Sequence, residues 1–147
     1  MRVYWAVLHP NTHGSLVAIW VNGRILLVKN SYVRYFNLPG GYVKVGETAV
    51  DAALRELREE VGIDVESDQL IPAIDETHIW EAKRERLEIY ELELATEPQV
   101  RVDNREVTSA SFHNAPEALG LLLFPPIRRH IEQKMRRTAE WGTSKIG

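Results

Sequence analysis

The stretch that most constrains this chain is Leu38 to Ile63, LPGGYVKVGETAVDAALRELREEVGI. It opens on a glycine pair, Gly40 and Gly41, and continues into a segment whose apolar residues Val50, Ala53, Leu54, Leu57 and Val61 recur at helical spacing. That stripe predicts a helix from about Thr48 to Val61, docked on a core. Gly62 then supplies a residue able to take the left-handed conformation that closes a helix. Within the helix Glu56, Glu59 and Glu60 stand at i, i+3 and i+4. At ~100° per residue they share roughly a third of the circumference. Arg55 and Arg58 project to the other side, and the small Ala52 leaves room above the glutamates for an ion or a phosphate.

Like charges at this spacing each cost a helix a few tenths of a kcal/mol, so the pattern is unfavourable unless a cation neutralises it. Mg²⁺ fits, since it takes hard oxygen ligands and is commonly held by one or two carboxylates plus substrate phosphates. The bland alternative is a solvated acidic helix face. The preceding loop favours the cation: glycines let the backbone approach a ligand closely, and a carbonyl there, such as that of Gly41, can join a metal shell. A helix starting just after such a loop also points N–H groups toward an anion.

These residues resemble the box of the Nudix hydrolases, G-x5-E-x7-R-E-U-x-E-E-x-G-U with U aliphatic. Its fixed positions are filled by Gly41, Glu47, Arg55, Glu56, Leu57, Glu59, Glu60, Gly62 and Ile63, preceded by Leu38, Pro39 and Gly40. The resemblance covers 23 residues. It implies an α+β fold, an α/β/α sandwich with a mixed β-sheet between helices. It also implies hydrolysis, dependent on Mg²⁺ or Mn²⁺, of the diphosphate linkage in a nucleoside diphosphate derivative of the ADP-ribose or nucleotide-sugar type. The alternatives are a hydrolase of nucleoside triphosphates, dinucleoside polyphosphates or RNA 5′ ends, and a non-catalytic module that binds a nucleotide as a signal.

In the hydrolase reading Glu56 and Glu60, one turn apart, are the first choices for metal ligands, and Glu59 is a shared ligand or the base that accepts a proton from water. Arg55 reaches Glu59 at i,i+4 spacing and orients it, and Glu47 fixes the loop-to-helix junction. The markers that distinguish some subfamilies, a proline or tyrosine sixteen or more residues after the box, are replaced here by His78, Ile79 and Trp80. Substrate choice therefore stays open.

The rest of the chain fits this frame. At 147 residues, 44% hydrophobic and 27% charged with net charge −3, it reads as one globular domain over 1–147. No charge imbalance calls for a membrane surface or bulk nucleic acid; the small nucleotide expected as partner is what the resemblance implies. Without cysteine there is no disulfide framework or thiolate metal site. No apolar run approaches the ~20 residues of a membrane span and no signal core follows the N-terminus, which makes cytoplasmic the default. Oligomeric state, a homodimer included, is left open.

Strands are predicted at Arg2–His9, Leu16–Val21 and Arg24–Lys29, the last two joined by Asn22-Gly23 in a type I′ hairpin. The polar, aromatic segment 30–37 is a candidate substrate wall in which Arg34 or Lys29 pairs with phosphate oxygens, against the alternative of a solvated loop. Pro72–Trp80 and Leu87–Ala95 are read as strands around a charged turn, Glu81–Arg86, and the mixed phase of the second calls for a covered face or a bulge. A loop ahead of a strand at Val107–His113 carries Glu106, a candidate further ligand or base by the family resemblance. A short helix near Pro116–Leu121 and a longer one from about Pro126 to Ala139 close the chain, with residues 142–147 expected to fray. The basic residues of the last helix are read as a solvated face rather than an RNA surface.

Overall fold

A computed structural model describes residues 11–80 and 82–146, without the side chains of Trp80 and 141–146. The strand predicted at Arg2–His9 lies outside the described residues. The elements are β1 (Thr12–Val21), β2 (Arg24–Lys29), β3 (Gly40–Tyr42), α1 (Ala49–Glu56), β4 (Ile71–Trp80), β5 (Lys83–Leu94), β6 (Ser109–Asn114), α2 (Ala115–Leu119) and α3 (Pro125–Ile146). A π-helical turn, Leu57–Val61, continues α1, and a short 3-10 turn, Ser67–Gln69, precedes β4.

The strands form a mixed sheet in the order β4-β5-β1-β2-β6, with β3 also paired to β1. β1 runs parallel to β5 along its whole length and antiparallel to β2 and β3. Its near-continuous apolar run is explained by burial on both faces. Val17, Ile19 and Val21 point to a layer formed by Ala53, Leu57 and Val61 of the box helix. Leu16, Ala18 and Trp20 point to the opposite layer, under Ala118 of α2 and Ile127 and Ile131 of α3. The α/β/α sandwich follows from that alternation, each buried aliphatic side chain contributing about 2 kcal/mol.

Asn22 and Gly23 both take positive φ, 50° and 76°, as a type I′ turn requires. The predicted box helix is present, with Thr48 as N-cap accepting from Asp51 N at 3.1 Å and Gly62 closing it at φ 71°. The glycine pair is a strand rather than a loop. A Cβ on Gly40 would sit 2.2 Å from the Ser15 carbonyl oxygen, so its bareness serves the close pairing of β3 with β1.

Three other expectations are corrected. Lys83–Arg86 is strand, not turn, because β5 extends backward to pair with β4 through Trp80↔Lys83. The register shift foreseen for β5 sits on its partner, between Pro72 and Ile74. α3 runs to Ile146, past the end predicted near Ala139. The second phase of β5 is explained by cover from α3. Glu91, only 8% exposed, receives a hydrogen bond from Arg137 at 3.0 Å and lies 3.4 Å from Lys134.

Candidate active site

The box brings three glutamates, Glu47, Glu56 and Glu59, around one arginine. The Arg55 guanidinium donates to both oxygens of Glu47, at 2.8 and 2.9 Å, and to Glu56 Oε1 at 2.7 Å, the Tyr42 carbonyl at 3.0 Å and Glu59 Oε2 at 3.4 Å. Arg55 thus lies on the glutamate side, not across the helix from it, because the fork of Glu47 and the β3 carbonyl draw it there. Its hydrogen bond holds the Glu47 carboxyl down at about 2, and Glu47 in turn raises the Arg55 pKa. Glu47 also accepts from Lys44 N at 3.0 Å, which ties the loop to the helix as expected.

The three helix glutamates do not share one environment. Glu56 and Glu60 are buried, at 2% and 4% exposure, whereas the Glu59 side chain is 48% exposed. The cause is the π-helical turn: the wider turn from Leu57 to Val61 rotates the last residues relative to α-helical spacing, so the three no longer fall on one narrow stripe. Among the described residues no three acidic or histidine side chains stand close enough to form a ready-made metal cage.

Glu60 is held from the glycine strand, its Oε1 accepting from Gly40 N at 2.9 Å. It lines a cleft with Lys29, Tyr35, Asn37, Gly40 and Glu106. Two candidates far apart in sequence, Lys29 on β2 and half-buried Glu106, are therefore gathered beside the box. Arg34 is exposed and does not line this cleft. Gly41 pairs with Ser15 in β3 next to it.

Sequence reasoning missed a second cleft, between α3 and the sheet, which shares the walls Leu16 and Asn37 with the first and is lined also by Glu85, Leu87, Phe124 and Pro126. Extending the alternation of β5 back from Leu87 to Glu85 was the signal that pointed to it. The ring of Phe124 lies 4.1 Å, centroid to centroid, from that of Tyr35, so an aromatic pair separates the two clefts. Three cations of α3 are engaged by acids of the sheet, Arg129 with Glu76, Lys134 with Glu93 and Arg137 with Glu91, while Arg128 donates to the Leu119 and Leu121 carbonyls.

The NUDIX domain family profile matches residues 11–135, most of the chain. The chain belongs to the NUDIX family. It is 38% identical over 66 residues to an ADP-ribose pyrophosphatase of Methanocaldococcus jannaschii, a match that covers 43% of this chain and 38% of that one. It is 28% identical over 140 residues to the NAD-capped RNA hydrolase ndx-9 of Caenorhabditis elegans, covering 91% of this chain and 36% of that one. The matched segments thus span little more than a third of these NUDIX relatives' length. In fold it is similar to the NUDIX domain of Shewanella oneidensis NrtR, solved with ADP ribose, at TM-score 0.73 and 16% identity over 92% of this chain and 97% of that one. Among the described residues no helix is long and apolar enough to cross a membrane.

Proposed function

We propose that this chain hydrolyses the diphosphate linkage of a nucleoside diphosphate derivative, of the ADP-ribose or nucleotide-sugar type, to a nucleoside monophosphate and a phosphorylated product, with Mg²⁺ or Mn²⁺ as cofactor. The observation that carries this reading is the gathering of Glu56, Glu59 and Glu60 at one end of the box helix, with Glu60 lining a cleft that also holds Lys29 and Glu106.

The donor set suits a hard cation: Glu56 and Glu60, with Glu59 and the Gly41 carbonyl, offer oxygen alone. A carboxylate has roughly four acceptor sites, so the Gly40 hydrogen bond to Glu60 is compatible with holding an ion. When bound, the ion offsets phosphate charge and makes a bound water acidic enough to act as nucleophile at neutral pH.

The chain's own groups divide the remaining work. Attack of water on phosphorus forms one P–O bond and breaks the bridging P–O bond, and the water's proton must go to a base. Glu59, exposed and oriented by Arg55, is assigned that role, since it can pass the proton on to solvent. Glu106, in the same cleft as Glu60, is the second candidate. Lys29 donates to the phosphate oxygens and Arg55 holds Glu56 and Glu59 in place. Names of relatives as different as an ADP-ribose pyrophosphatase and an NAD-capped RNA hydrolase share the nucleoside diphosphate unit that this reading requires.

The test is release of mononucleotide from a panel of ADP-ribose, nucleotide sugars, nucleoside triphosphates and dinucleoside polyphosphates with Mg²⁺, Mn²⁺ or EDTA. Metal-dependent cleavage of the diphosphate derivatives is expected. Binding without cleavage of any member contradicts the reading in favour of a nucleotide-sensing module.

A further inference from the structure

The cleft between α3 and the sheet contains a carboxylate with no assigned task. Its floor is built from one face of three strands: Leu16 of β1, Glu85 and Leu87 of β5, and His78 of β4. Phe124, Pro125, Pro126 and Ile127 form the wall opposite. Glu85 stands opposite His78 in the β4–β5 ladder and opposite Thr12 in the β5–β1 ladder. It shares a strand face with Leu87 and Ile89, whose side chains pack under α3. The acids around it are all engaged, Glu76 by Arg129 and Glu91 by Arg137. Glu85, half-buried, makes no hydrogen bond or ion pair among the described residues. Its acceptor sites are therefore open to an N–H from a ligand.

The neighbourhood names the ligand part. The cleft adjoins the one that reaches Glu60, the two sharing Leu16 and Asn37, and so lies next to the place that the hydrolase reading gives the diphosphate. Apolar walls of proline, phenylalanine and leucine suit a flat ring, and Glu85 at the floor is acceptor-only. Resting on the hydrolase reading above, we propose that this slot takes the nucleobase and that Glu85 is its specificity-determining residue, selecting bases with an exocyclic amino group over uracil. Adenine, cytosine and guanine each offer an amino N–H to a carboxylate, whereas uracil presents carbonyl oxygens on both sides of its one N–H, and these repel it.

Glucose esters that differ only in the base test this. For the wild type, kcat/KM with Mg²⁺ is expected to be roughly tenfold or more higher for ADP-glucose and GDP-glucose than for UDP-glucose, the scale of one well-made base contact. Glu85→Ala brings the ratio close to one by raising KM for the amino-bearing bases at unchanged kcat. Glu85→Gln, whose amide can also donate, shifts the preference toward UDP-glucose. A wild-type preference for UDP-glucose, or a ratio that Glu85→Ala leaves unchanged, overturns the proposal while leaving the hydrolase reading intact. If no glucose ester is cleaved, binding of AMP, GMP and UMP without metal decides separately. Tighter AMP and GMP binding that disappears in Glu85→Ala supports the slot, and equal binding of the three overturns it. Circular dichroism and a thermal melt of each variant show that the change acts on the folded chain.

Discussion

The two faces of the sheet carry charge in opposite ways. On the α3 face, Glu76, Glu91 and Glu93 meet Arg129, Arg137 and Lys134 nearly one for one. On the box face, Glu47, Glu56 and Glu59 share Arg55, and Glu60 accepts from Gly40 N. Both arrangements place acids against helices, but the first gives each acid its own cation, while in the second one guanidinium serves three carboxylates. Paired charges of the first kind hold a helix on a sheet, while carboxylates gathered at one helix end offer oxygen ligands to a cation. Charge count alone, 18 basic and 21 acidic residues, hides this difference, because the arrangement is local.

The largest effect that separates the faces is catalytic. Glu60→Gln, nearly isosteric, should lower kcat by about a hundredfold or more with little loss of fold, whereas Lys134→Ala should leave kcat unchanged. Steady-state rates on the substrate found in the panel check both. Near-normal turnover by Glu60→Gln would remove Glu60 from the metal site.

Next in size is the loss of Arg55. Arg55→Ala takes from buried Glu56 and from Glu47 the guanidinium that both accept from and should cost about 3 kcal/mol in denaturant unfolding, part of it recovered when Mg²⁺ is added. Equal stability with and without the ion would show that the box is not short of positive charge.

The acid limb of stability should then show both faces. Glu47 is held well below an ordinary carboxylate, at about 2, by its bonds to Arg55. A depressed carboxylate contributes stability that is present above its unfolded pKa, ~4.3, and is lost as pH falls toward about 2. Glu47→Gln should flatten that slope. On the other face His130, fully buried, accepts the Trp20 Nε1–H bond at 3.0 Å, and burial pushes its pKa down to about 4. A buried neutral imidazole must gain a proton on unfolding, so stability falls between ~6.5 and about 4 as pH drops. Unfolding midpoints from pH 7 to pH 3 in wild type and His130→Phe separate the two windows. The smallest effect is that of Lys134→Ala on stability, about 1 kcal/mol, since Glu93 is 57% exposed and buried Glu91 keeps its bond from Arg137.

Local chemistry was legible in the sequence. Asn22-Gly23 announced its turn, Thr48 and Gly62 bounded the box helix, and the apolar stripe of that helix found its core. These features depend on residues near one another in the chain. What escaped depended on partners far away. The π turn that separates Glu59 from Glu56 and Glu60 has no residue signature, and Arg55 was drawn to the acidic side by Glu47 and the Tyr42 carbonyl. Lys83 to Arg86 looked like a turn because four charges in a row are unusual in a strand, yet Arg86 is held there by a two-pronged pair with Asp75 on β4. Lys29 and Glu106 were named singly, and only the β2–β6 pairing brings their neighbourhood together at one cleft. Glu85 was passed over inside that misread turn.

The central claim, that the box face is built to be neutralised by a divalent ion, is tested most directly by calorimetric titration of Mn²⁺ and Mg²⁺ into the nucleotide-free wild type, Glu56→Gln, Glu60→Gln and Lys134→Ala. Saturable binding in wild type and Lys134→Ala, weakened at least tenfold in each glutamate variant, is the predicted result. Equal binding in all four proteins would contradict it.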